Sequence, residues 1–111
     1  MPQFQSIEEV IASYPDRFKP REAAGTDAVV QLRIKGEGGG DYQLFIQDGK
    51  LDIRDGVNEA PTLTATVDAD DWIRVNNGEV SPMTLLMKGK LKFRGSLPMA
   101  LKFRSMFETY A

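Results

Sequence analysis

The sequence predicts an α+β domain with a five-stranded, largely antiparallel sheet, one face of which is covered by about four to five helices. Three observations predict it. Apolar residues recur with a period of two in four consecutive stretches between Ala28 and Val67 and again at Leu91 and Phe93, which is the periodicity of half-buried strands. Segments with helical spacing and cap residues lie before that block and after it. The links between the first strands are too short for anything but antiparallel neighbours, and strands that cluster ahead of helices segregate the helices to one side of the sheet.

Taken in order, Ser6-Ile7-Glu8-Glu9 is a capping-box pattern, and Ile7, Val10, Ile11 and Tyr14 follow at helical spacing. Pro15 is expected to end or kink this helix, and Pro20 repeats the interruption, so residues 16–25 read as short turns on which Phe18 packs inward. Val30, Leu32 and Ile34 then share one face, as do Tyr42, Leu44 and Ile46, and Leu51 and Ile53. The glycine-rich run from Gly36 to Asp41 joins the first two strands, and Asp48-Gly49 is a two-residue hairpin signal between the second and third. After a turn, Leu63, Ala65 and Val67 alternate with threonines in a fourth strand. Asp68 is placed to cap a helix running to about Asn77, with Asp70 and Asp71 at its positive end. Ser81-Pro82 starts a short helix that stops at Gly89. Lys90 to Arg94 alternates as a fifth strand whose partner the sequence does not reveal, and Ser96 caps a last helix expected to reach Tyr110.

At 111 residues the chain has the size of one domain, and residues 1–111 read as one unit. No apolar run approaches the roughly 18 residues of a membrane span and no signal-peptide pattern opens the chain, so a cytoplasmic location is expected. There is no histidine and no cysteine. Without them the nucleophile–base pairs and zinc sites of most hydrolytic chemistry cannot be assembled, so the expectation is a protein that is not an enzyme, with no catalytic residues, no metal and no cofactor. The overall charge of −2 hides an asymmetry: residues 1–81 carry 8 basic and 15 acidic side chains, residues 82–111 carry 6 basic and 1 acidic. That is a basic face on an acidic body.

Several motifs are weaker than they look. The glycines at 36, 38, 39 and 40 lack a following Lys-Ser or Lys-Thr and lead into a strand, so they make a hairpin and not a phosphate loop. Asp68, Asp70 and Asp71 are explained by the helix they begin. The stripe Lys88, Lys90, Lys92 and Arg94 is either a solvated strand face or a contact for phosphate on a membrane. Nucleic acid is not expected, since no DNA- or RNA-reading motif accompanies it. Four of the 5 methionines, Met83, Met87, Met99 and Met106, fall in the last two helices. The last helix also carries Leu97, Ala100, Leu101, Phe103, Phe107 and Tyr110, a wider apolar surface than one sheet face covers. Such residues are gap-fillers of an ordinary core or the lining of an apolar ligand cavity.

The run Asp70-Asp71-Trp72, the helix ending at Asn77-Gly78, and then Pro82-Met83, Leu86-Met87, Lys88-Gly89-Lys90-Leu91-Lys92 and Gly95 resemble the second sterol carrier protein family, the non-specific lipid-transfer proteins. Phe18, Ala24-Gly25, the strand from Ala28 to Lys35 and the Asp48-Gly49 hairpin fit the same family, so the resemblance covers nearly the whole chain. It implies an apolar tunnel that holds sterols, fatty acyl chains or acyl-CoA, between the sheet and its helices. The chain ends in Glu-Thr-Tyr-Ala where peroxisomal members carry a Ser-Lys-Leu-like tripeptide, and its length leaves no room for a fused thiolase or dehydrogenase. A stand-alone form is expected.

On that resemblance, Leu44, Ile46, Leu63 and Phe93 are expected in the floor of the cavity. Its roof is expected to hold Trp72, Ile73, Met83, Leu86, Met87, Met99, Phe103, Met106 and Phe107, with the last helix as a gate. The expected function is binding and intracellular transfer or presentation of apolar lipids, with transient contact between Lys88, Lys90, Lys92 and Arg94 and an anionic membrane. Two other functions fit the same residues. One is an interaction or dimerisation module that docks its apolar last helix and has no cavity. The other is a small α+β isomerase or hydrolase with a carboxylate or tyrosine in an apolar pocket.

Overall fold

The structure is a computed structural model that describes residues 3–107. Its elements are α1 (Ile7–Arg17), β1 (Asp27–Lys35), β2 (Gly40–Gln47), β3 (Lys50–Asp55), β4 (Leu63–Asp68), α2 (Ala69–Asn76), α3 (Pro82–Met87), β5 (Leu91–Gly95) and α4 (Leu97–Ser105). The five strands form one sheet in the order β3-β2-β1-β4-β5. All neighbours are antiparallel except β1 and β4, which run parallel.

The first three strands form the expected meander. Asp48 and Gly49 both have positive φ, 53° and 72°, the geometry that lets a two-residue turn follow the twist of its strands. The parallel pair has a specific cause. After β3 the chain returns across the outer face of the sheet, and the buried Gln31 side chain holds it there. Gln31 Nε2 donates to the Gly56 carbonyl at 2.9 Å, while Gln31 Oε1 accepts from the Asn58 N–H at 2.7 Å. Thr62 N–H then donates to the Val29 carbonyl at 2.8 Å, which delivers the chain beside β1 in the same direction. In this register Val30, Leu32 and Ile34 stand opposite Leu63, Ala65 and Val67. β5 completes the sheet against β4, with Phe93 opposite Ala65 and Leu91 opposite Val67.

Two helix boundaries and one cap differ from expectation. α1 continues through Pro15 to Arg17. A proline removes one N–H near the end of the helix, and Phe18 N–H still closes the last turn on the Tyr14 carbonyl at 2.9 Å. Asp68 sits at the N-cap of α2 but its side chain makes no capping bond. α4 ends at Ser105 because the chain is diverted into pairing with the exit of α1. Lys19 N–H donates to the Met106 carbonyl at 2.6 Å, and Phe18 and Phe107 form an antiparallel bridge. The expected extension to Tyr110 lies outside the described residues.

The serine caps are present as expected. Ser6 Oγ accepts from Glu9 N–H, Ser81 Oγ from Met83 N–H and Ser96 Oγ from Met99 N–H. They satisfy donors that a helix start would otherwise leave unpaired. α2 packs on β1 and β4, α3 on β5, and α4 on β4 and β5. The helices thus converge on one half of the sheet.

Candidate functional site

Over the half of the sheet made by β1, β4 and β5 lies a cavity of about 440 Å³, within the size range of small-molecule sites. Its floor is a patch of cross-strand neighbours: Val30 and Leu32 from β1, Leu63 and Ala65 from β4, Leu91 and Phe93 from β5. All point to one face because each strand contributes alternate residues. The inner wall is Trp72, Val75 and Asn76 of α2 with Tyr14 and Arg17 of α1, and Phe107 packs against Tyr14 beside them. Residues 78–83, Leu86 of α3 and Ala100, Leu101, Phe103 and Arg104 of α4 frame the opening. Met83, Leu86, Leu101 and Arg104 are exposed there, whereas the floor is buried except for the half-buried Phe93.

A small polar network sits at the inner wall. Trp72 Nε1–H donates to Tyr14 Oη at 3.0 Å, and Asn76 Nδ2 donates to the Trp72 carbonyl at 2.8 Å. Asn76 Oδ1 accepts from Arg17 Nη1 at 3.0 Å, and Ser13 Oγ accepts from the same group at 3.1 Å. The Arg17 guanidinium lies 5.3 Å from the Tyr14 ring centroid and 5.7 Å from that of Phe4, within cation–π range. Burial pushes the Tyr14 phenol up to about 12, against the lowering effect of its hydrogen bond from Trp72 and the nearby Arg17 charge. A phenol that stays neutral there is a hydrogen-bonding group, not a base. Phe107 is the hub of the aromatic wall, with ring centroids 5.0 Å from Tyr14, 5.5 Å from Phe18 and 5.1 Å from Phe103.

Of the residues the sequence reading assigned to the cavity, Leu63, Trp72, Met83, Leu86, Phe93, Phe103 and Phe107 are at its wall. Leu44 and Ile46 are not. They share the buried face of the sheet, opposite Val30 and Ala28, but stand on β2, one strand beyond the hollow. Ile73 is half-buried and packs at the margin of the core. Met87 points outward and is 81% exposed, while Met99 and Met106 are buried in the core and absent from the wall. The methionines therefore divide among rim, surface and core. Sequence reasoning missed Tyr14, Arg17, Val30, Leu32, Ala65, Asn76 and Leu91. Alternation already marked Val30, Leu32, Ala65 and Leu91 as inward-facing, but only the strand order places them beneath the helices. Nothing in the local pattern of α1 marks Arg17.

Lys88, Lys90, Lys92 and Arg94 are all exposed. Lys92 and Arg94 alternate with Leu91 and Phe93, so they project from the outer face of the sheet, away from the cavity. Lys88 follows α3 and Lys90 lies in the turn into β5. Among the described residues no group of three or more acidic side chains could hold a metal ion, and no helix is long and apolar enough to cross a membrane.

The family model for the SCP-2 sterol transfer family matches residues 7–108. The chain belongs to the SCP-2 sterol transfer family. Membership implies lipid or sterol binding and transfer, and it joins a fold and a cavity described above on independent grounds. Among SCP-2 relatives, hydroxysteroid dehydrogenase-like protein 2 of Mus musculus is 27% identical over 107 residues, and that of Danio rerio 26% over 104. These alignments cover 95% and 90% of this chain but only 22% and 24% of the relatives, so the chain spans about a quarter or less of their length. The solution structure of palmitated SCP2L2 from Aedes aegypti superposes with a TM-score of 0.77 at 23% identity, covering 96% of this chain and 99% of that one. A double mutant of the sec-alkyl sulfatase PisA1 superposes with a TM-score of 0.84 at 16% identity, covering 96% of this chain and 17% of that one. The SCP-2 fold thus occurs both as a unit of this chain's size and as a part of larger enzymes.

Proposed function

We propose that the chain binds one acyl chain or sterol-like molecule in the cavity over β1, β4 and β5 and transfers or presents it, inside the cell, as a carrier and not as a catalyst. The observation that carries this reading is an apolar floor beneath a mostly apolar wall, open between α3 and α4, in a chain whose described residues hold no histidine–nucleophile pair and no metal cluster. The residues proposed to touch the guest are Leu63, Trp72, Met83, Leu86, Phe93, Phe103 and Phe107, together with Val30, Leu32, Ala65 and Leu91. Hiding roughly 400 Å² of lipid surface at ~25 cal/mol/Å² gives about 10 kcal/mol gross. After the cost of association, affinities near micromolar, about 8 kcal/mol, are the upper range expected.

The palmitate of the Aedes aegypti protein is that protein's own; it supports testing fatty acids first. Native mass spectrometry of protein purified from cells, followed by delipidation and rebinding of palmitate, tests the proposal. Co-purified acyl chains and stoichiometric rebinding are expected. A ligand-free protein that takes up neither palmitate nor a sterol analogue after delipidation would sink the carrier reading. The exposed Leu97 and Leu101 favour one second reading, a docking module. It predicts a partner-bound or dimeric protein whose binding surface is unaffected by changes inside the cavity.

A further inference from the structure

The opening of the cavity carries surface that the fold does not use. On α3, Met83 and Met87 are 53% and 81% exposed, and on α4, Leu97 and Leu101 are 64% and 77% exposed. Each pair is spaced four residues apart, so each forms one ridge on its helix. Met83 and Leu101 also belong to the cavity wall, so the two ridges flank the mouth itself. Three exposed cations stand beside them, namely Lys88 at the end of α3 and Lys102 and Arg104 on α4. Glu79 is the one carboxylate among the residues that frame the mouth, and no aspartate or glutamate follows it as far as Phe107.

We infer that this two-helix rim docks on an anionic lipid bilayer, with Met83, Met87, Leu97 and Leu101 entering the boundary between headgroups and acyl chains and Lys88, Lys102 and Arg104 meeting lipid phosphates. The inference rests on the lipid-carrier reading and adds to it the face that meets the membrane. Two features select a bilayer over a protein partner. The rim is apolar and basic at once, as interfacial segments are. A symmetric pairing with a second copy would bring its cations against the same cations, with Glu79 alone to offset them at the mouth. Docked this way, the mouth faces the hydrocarbon and a guest passes between bilayer and cavity without crossing water. The basic stripe on β5 takes no part, because Lys92 and Arg94 project from the opposite face of the sheet.

Co-sedimentation with phosphatidylcholine vesicles, with and without phosphatidylserine and at low and high salt, tests this. Wild-type protein is expected to sediment with the phosphatidylserine vesicles and to be released by salt. Leu97→Gln with Leu101→Gln is expected to lower partitioning by about tenfold, and Lys102→Gln with Arg104→Gln to lower it on anionic vesicles only. Lys92→Gln with Arg94→Gln should stay within about twofold of wild type, because those cations face away from the membrane. All these side chains are exposed, and circular dichroism checks that each variant is folded. The inference is overturned by the reverse ranking of the variants, by wild-type protein that sediments with neither vesicle, or by a dimer that the Leu97/Leu101 variant dissociates without any vesicle binding. A titration with cis-parinaric acid in vesicle-free buffer separates the two readings. Fatty-acid binding without sedimentation overturns the docking face and leaves the carrier intact. Sedimentation without fatty-acid binding overturns the carrier and, with it, the role given to the mouth.

Discussion

Ala65 sits in the middle of the cavity floor, between Leu32 on β1 and Phe93 on β5. Leucine there adds three carbons to a side chain that already points at the hollow. If the hollow holds an acyl chain, those carbons displace about three methylenes of the longest guest. At ~0.8 kcal/mol per buried methylene the loss is about 2.4 kcal/mol, or roughly 60-fold in Kd. A guest about three carbons shorter should bind wild type and Ala65→Leu alike, so the change is expected to shift the chain-length optimum and not to abolish binding. Displacement of a fluorescent fatty acid by saturated acids of about ten to eighteen carbons measures this. Trp72, the one tryptophan of the chain, lies at the wall and gives a second signal. Stability provides an independent check. Forcing methylenes into a filled core costs about 1–3 kcal/mol, whereas an open cavity should accept them with little change in the urea midpoint. Clear destabilisation together with an unaltered chain-length profile would refute the reasoning, since it would mean that Ala65 faces packed protein.

Further outcomes follow from the polar and backbone details. The Tyr14 phenol, moved by burial from 10.0 to about 12, is neutral in both folded and unfolded chains below pH 10. Above that pH the unfolded chain loses the proton first, so stability falls by about 1.4 kcal/mol per pH unit until the folded form also ionises. Tyr14→Phe should cost about 1 kcal/mol at neutral pH, because Trp72 loses its acceptor, and should gain on wild type as urea denaturation is repeated from about pH 10 to 12. An unchanged difference across that range would contradict the buried, neutral phenol. Asn76→Ala removes one acceptor of Arg17 and the donor to the Trp72 carbonyl; a loss of about 2 kcal/mol in chemical denaturation is expected. Gly95 has φ 105°, and a Cβ there would lie 2.5 Å from the Thr62 carbonyl oxygen. Gly95→Ala should therefore destabilise by more than about 2 kcal/mol, while Gly25→Ala, with open space around it, should cost less by the same assay.

Strand positions were legible because alternation is a local signal. Val30, Leu32, Leu63, Ala65 and Val67 face inward in both the sequence and the structure. The caps Ser6, Ser81 and Ser96 were legible for the same reason, each bonding an N–H two or three residues away. What escaped was set by long-range contacts. The parallel pairing of β1 with β4 depends on Gln31 holding residues 56 and 58 across the sheet, a link no window of neighbouring residues contains. α4 stops at Ser105 because Lys19 and Phe18 claim the backbone beyond it. The floor shifted from β2 to β1 for a related cause: hydrophobicity told which face is buried, but only the strand order tells which part of that face the helices arch over. Arg17 could not be found at all from local pattern, since its partner Asn76 lies 59 residues away.

The bridge between Phe18 and Phe107 also has a kinetic meaning. A ribosome releases the chain from its N-terminus, so the five strands and the first three helices emerge before Phe107, which closes the aromatic wall. Until then the face carrying Val30, Leu32, Leu63 and Ala65 lacks the cover that α4 and Phe107 supply, an invitation to aggregation or to a passing chaperone.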